Sequence, residues 1–67
     1  MGVIKVIEVL ANSKVSWEEA TQNAVAHAYK TVQKIKSVNV SKLSATVDSK
    51  GKISEYRINV KISFELE

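Results

Sequence analysis

Residues 54–67 alternate without a break: Tyr56, Ile58, Val60, Ile62, Phe64 and Leu66 are apolar, while Glu55, Arg57, Asn59, Lys61, Ser63, Glu65 and Glu67 are polar. A period of two over this length predicts a strand with one buried face, extended over about 45 Å. Such a strand is expected to outrun its partners and leave an edge that is protected or paired with another chain. Within residues 16–35 the period changes to three and four, with Trp17, Ala20, Ala24, Val25, Ala28, Val32 and Ile35 on one stripe. That spacing predicts an amphipathic helix. Ser16 and Glu19 stand at the capping-box separation, where the hydroxyl accepts from the Glu19 amide and the carboxylate reaches back to the Ser16 amide, so the helix is expected to start at Trp17. Val15 is placed to act as a hydrophobic staple against Ala20 or Thr21. Glu18 and Glu19 at the positive end, with Lys30, Lys34 and Lys36 at or past the negative end, agree with the helix dipole.

Two further strands follow from shorter patterns. Residues 2–11, GVIKVIEVLA, carry Ile4, Val6 and Leu10 on one face and Val3, Ile7, Val9 and Ala11 on the other. A strand apolar on both faces needs cover on both. One helix covers one face, so the second face points to another subunit. Residues 38–47 hold Val38 and Val40 in one phase and Leu43, Ala45 and Val47 in the other. The change of phase near Ser41 and Lys42 predicts a β-bulge. Asp48, Ser49, Lys50 and Gly51 supply turn chemistry, with Gly51 suited to positive φ. The order is strand, helix, strand, strand, and placing the long third strand in the middle gives an antiparallel sheet in the order 1-3-2. The fold class expected is α+β.

Composition changes this picture in one respect. A chain of 67 residues, expected to form one domain over residues 1–67, buries only about 60% of its unfolded surface. Below roughly 70–80 residues a fold needs a staple. There is no cysteine, and the single histidine, His27, cannot build a structural zinc site. Oligomerisation is the staple that remains. The lack of cysteine is compatible with a reducing compartment, and no leader peptide or membrane span is legible. The expected location is the cytoplasm.

Chemistry is sparse. The only glycines are Gly2 and Gly51, which rules out a glycine-rich phosphate loop, and no Ser/His/Asp set can be assembled. His27 reads as a surface or edge position, with a ligand or proton-transfer role as the lesser alternative, and Trp17 as a packing residue, with stacking on a planar ligand as the lesser alternative. The net charge of +3 comes from scattered lysines. Nucleic-acid binding calls for cations interleaved with exposed aromatics, whereas Tyr56 and Phe64 share the apolar face of the last strand. No enzyme is expected, and no catalytic residue is assigned.

At these residues the chain resembles the dodecins. The opening VIKVIEVLANS, the helix start SWEEATQNAV, the turn VDSKGKI and the closing EYRINVKISFELE carry the likeness over essentially the whole sequence. The resemblance implies a three-stranded antiparallel sheet partly wrapped around one helix, a homododecamer forming a hollow sphere, and storage of a flavin such as FMN or riboflavin. In flavin-binding dodecins a tryptophan at the start of the second strand stacks on the ring and a glutamine after the tyrosine of the third strand hydrogen-bonds it. Ser37 and Arg57 occupy those two positions here. The resemblance thus implies Ser37, Asn39, Ser44 and Arg57 as lining residues. Trp17 in SWEEA is similar to a branch described as calcium dodecins, which implies calcium as the alternative ligand in a structural shell. Calcium takes some 6–8 oxygen ligands, and Glu8, Asp48, Glu55, Glu65 and Glu67 supply them only if subunits share a site.

Overall fold

A computed structural model describes residues 2–66. Its elements are β1 (Ile4–Ser13), α1 (Trp17–Tyr29), β2 (Ile35–Val47) and β3 (Ile53–Glu65), with all pairing antiparallel and the sheet ordered β1-β3-β2. The α+β expectation and the central place of the last strand both hold. The long strand leaves no edge of its own, however, because β3 is paired along nearly its whole length on both sides. The edges are β1 and β2.

The core is small and explicit. Ala20, Ala24 and Ala28 of α1 lie against Ile58, Val60 and Ile62 of β3, and Ile7, Val9, Ala11, Ile35 and Val38 pack around them. Alanine has no side chain beyond Cβ, so the helix axis approaches the sheet closely and the branched side chains of β3 supply the buried area. Phe64 closes one end at 8% exposure. Leu66, which continues the alternation, lies beyond β3 and is exposed.

The helix is shorter than its stripe. After Tyr29 the amides of Lys30 and Thr31 donate to the carbonyls of His27 and Ala28, and Lys34 takes φ of 60°. Thr31 and Val32 are β-branched and weak helix formers, which favours ending there. Ile35 belongs to β2, opposite Phe64, and Val32 to the connection. Both remain half-buried, so the apolar phase survives although the geometry changes.

The N-terminal cap differs in one partner. Ser16 Oγ accepts from the Glu19 amide at 3.0 Å, as a capping box requires. The Glu19 carboxylate instead accepts from Ser13 Oγ. That hydroxyl in turn accepts from the amides of Val15 at 2.8 Å and Ser16 at 3.3 Å. Ser13, buried at the end of β1, thus relays the box and ties strand to helix. Val15 is 68% exposed and makes no staple. The β2–β3 turn follows the sequence: Gly51 takes φ of 81°, and Asp48 Oδ1 accepts from the amides of Lys50 and Lys52.

Two stability predictions follow. Phe64→Ala is expected to cost about 3–5 kcal/mol in chemical denaturation, and an unchanged midpoint would show that the end of the core is not closed by this ring. Ser13→Ala removes one donor and two acceptances at a buried site, and a loss of about 1–3 kcal/mol is expected; a variant as stable as the parent would show that water replaces the relay without cost.

Candidate functional site

Choosing a core face for β3 also chooses the residues of the opposite face, because side chains alternate. The register then lines up rows across all three strands. Asn12, Arg57 and Ser44 form one row, and Leu10, Asn59 and Lys42 form the next. The bulge between Val40 and Lys42 lies at the border of the second row, where the extra residue sharpens the local twist. Ser41 Oγ donates to the Asn59 carbonyl at 3.2 Å beside it. The result is an open groove of about 450 Å³ lined by these six residues with Ala11 and Ile58.

Its lining joins an apolar wall to polar and cationic side chains. Leu10, 75% exposed, offers an apolar wall. Arg57 and Lys42 are the charged groups of the lining, and no carboxylate is among the lining residues. Arg57 Nε lies 3.7 Å from Glu55 Oε1, an exposed pair that holds little energy and leaves the guanidinium available. Asn59 Oδ1 is buried in the wall without a hydrogen-bond partner. Such orphan acceptors are uncommon and call for an explanation.

Behind the groove, Trp17 Nε1 donates to the Ser44 carbonyl at 2.9 Å, and the indole meets Tyr56 edge-on with centroids 4.9 Å apart. Trp17 is therefore a packing residue with its polar tip satisfied, at 37% exposure.

Of the four residues expected to line a site, Ser44 and Arg57 meet directly across the β2–β3 ladder. Ser37 and Asn39 lie on the same open face but stand opposite Ser63 and Lys61. Along β3, Ser63 is six positions from Arg57 and Lys61 four, or about 20 and about 14 Å, so one chain does not join the two pairs. Leu10, Asn12, Lys42 and Asn59 were not anticipated. Their signal is the register itself, which needs the bulge position before it can be written down.

The acidic positions are dispersed. Glu65 lies 3.4 Å from Lys36, Glu8 stands opposite Lys61, and Asp48 caps the turn. Glu67 lies outside the described residues. Among the described residues no three His, Asp or Glu side chains come together as metal ligands. No helix among them is long and apolar enough to cross a membrane.

The dodecin family model matches residues 3–67. The chain belongs to the dodecin family. It is 41% identical to calcium dodecin of Mycobacterium tuberculosis over 66 residues, covering 98% of this chain and 92% of that one. The crystal structure of that protein, described as calcium-chelating with a novel calcium-binding site, superposes with a TM-score of 0.85 at 39% identity, covering 98% and 93% of the two chains. A dodecin variant from Thermus thermophilus superposes with a TM-score of 0.90 at 31% identity over 97% and 96%. The strand-helix-strand-strand fold is thus the dodecin fold, and the sheet order reached from alternation alone agrees with it.

This dodecin leaves apolar side chains open on both sides of the sheet. Ile4, Val6 and Leu10 of β1 are exposed on the groove face, and Val40, Leu43 and Val47 of β2 are exposed where α1 does not reach. Leu10→Glu is expected to lower the assembled mass seen by light scattering. An unchanged mass would show that this wall does not face a neighbouring copy.

Proposed function

We propose that this dodecin is a binding and storage protein: it assembles as a hollow homododecamer and holds a small ligand, a flavin such as FMN or riboflavin or a related cofactor, without turning it over. The observation that carries the reading is the groove built on the rows Asn12–Arg57–Ser44 and Leu10–Asn59–Lys42, cationic at its charged positions and open on one side. A planar ligand needs a second wall. In a closed assembly a neighbouring copy supplies it, and in the same step brings a second pair of Ser37 and Asn39 to bear on the ligand. Two pairs about 14–20 Å apart in one chain then serve one site across an interface. Arg57 and Ser44 offer hydrogen bonds to ring or side-chain oxygens, and Ser37 offers a hydroxyl where flavin-binding relatives stack an indole.

Assembly also accounts for the shape of the subunit. The radius of gyration is 13.8 Å with extents of 51 × 19 × 13 Å, against about 11 Å for a compact chain of this length. An elongated subunit with apolar patches on both faces gains stability by being covered. The cytoplasm is the compartment we assign to the shell.

A second reading is a structural shell that binds calcium, and the 41% identity to a calcium dodecin favours it. Because the carboxylates of one subunit are dispersed, such a site draws on Glu8, Asp48, Glu55 and Glu65 from several copies.

Flavin fluorescence titration of the assembled protein, with calorimetric calcium titration of the same preparation, separates the two. Ser37→Trp is expected to raise flavin affinity tenfold or more, since an aromatic pair adds about 0.5–1.5 kcal/mol to the burial of the indole. Arg57→Gln changes it less, by about one neutral hydrogen bond. If neither variant quenches flavin better than the parent while calcium binds in the same assembly, the storage reading falls and the calcium shell stands.

A further inference from the structure

Trp17 is not among the residues that line the groove, yet it contacts two of the three strands that supply them. Its Nε1 donates to the Ser44 carbonyl at 2.9 Å, and its ring meets Tyr56 at 87° with centroids 4.9 Å apart. Ala45 stands opposite Tyr56 and Ser44 opposite Arg57. The indole therefore grips adjacent positions of β2 and β3, while Ser44 and Arg57 themselves line the groove.

The gripped segment pairs with β3 without interruption from Lys42 to Thr46, and the register shifts on either side of it, between Val40 and Lys42 and between Thr46 and Val47. β2 is an edge strand, and α1 packs mainly on β1 and β3. A segment on an open edge, flanked by irregular pairing, opens more readily than the central strand. The hydrogen bond from Trp17 ties it to the helix.

We propose that Trp17 is a positioning residue of the ligand groove. The ladder sets the distance between β2 and β3, and Trp17, by holding the Ser44 carbonyl from the helix, sets the tilt of the edge stretch that carries Lys42 and Ser44 against Arg57. The proposal rests on the groove being the ligand site. It also predicts a specific division of labour within one side chain. The ring contact with Tyr56 contributes to folding, whereas the indole N–H contributes to the shape of the groove.

Trp17→Phe separates the two, since phenylalanine keeps an edge-on contact with Tyr56 and loses the donor; Trp17→Ala loses both. Hydrogen exchange on the assembled Phe variant is expected to show amides of residues 42–47 exchanging about two- to tenfold faster, the loss of one neutral hydrogen bond, with β1 unchanged. FMN titration is expected to show affinity falling by a similar factor while the melting temperature stays near that of the parent. The alanine variant is expected to lose stability as well. Faster exchange spread evenly over all strands, or none at residues 42–47, overturns the proposal. So does local loosening with FMN affinity unchanged, because the indole then holds the strand and not the site. If the parent binds no FMN, the ligand reading fails separately, and the exchange pattern alone decides whether Trp17 positions the groove wall.

Discussion

One helix of 13 residues faces a sheet whose two longer strands also have 13 residues each. At about 1.5 Å per residue the helix reaches some 20 Å, and at about 3.4 Å per residue the strands reach some 45 Å. That mismatch governs the rest. Ala20, Ala24 and Ala28 seat the helix on Ile58, Val60 and Ile62, and beyond that contact the sheet has nothing of its own to lie under it. Each large apolar side chain left in water forgoes about 1.5–3 kcal/mol of burial. Leu10, Leu43 and Val47 are in that position. A chain built this way carries apolar surface that its own helix does not cover.

The open face of the sheet acquires its chemistry by default and then by correction. Alternation sends Asn59, Arg57 and their row partners outward because Ile58 and Val60 go inward. A flat face of polar residues binds nothing in particular. The bulge at Ser41 turns it into a groove by adding one residue to β2 and twisting the strand, which sets Lys42 and Ser44 against Arg57 and Asn59 across a cavity. Cations there, without a carboxylate in the lining, favour ligands carrying negative charge or carbonyl oxygen. The N-terminal end of the helix serves the same region from the other side, through the indole of Trp17.

Local signals were strong where the physics is local. The strict alternation of residues 54–67 defined β3 and its core face, the Ser16 and Glu19 spacing defined the start of α1, the phase change at Ser41 located the bulge, and Gly51 marked the turn. Together these were enough for the sheet order, because a long one-sided strand gains most cover by lying between two others. The limits of local reading are equally specific. Val32 and Ile35 fit a helical stripe, since spacings of three and four do not reveal that β-branched neighbours end a helix at Tyr29. Val15 fits a staple, and Glu19 fits a closed capping box, until the chain brings Ser13 to the same place.

The site was legible only in part for a reason of the same kind. Ser44 and Arg57 were expected from the resemblance to dodecins, and the ladder does bring them face to face. Ser37 and Asn39 were anticipated on equal grounds, and the ladder keeps them apart. Leu10, Asn12, Lys42 and Asn59 carry no local signature, because a row across three strands is a property of register. Register depends on where one extra residue enters β2, and on the pairing of β1 with β3, which joins the two ends of the chain. The sequence by itself therefore determined which residues face inward on the last strand and which residues share a face on the other two. Only the tertiary structure decided which outward residues meet, since alternation is a property of one strand and adjacency is a property of two.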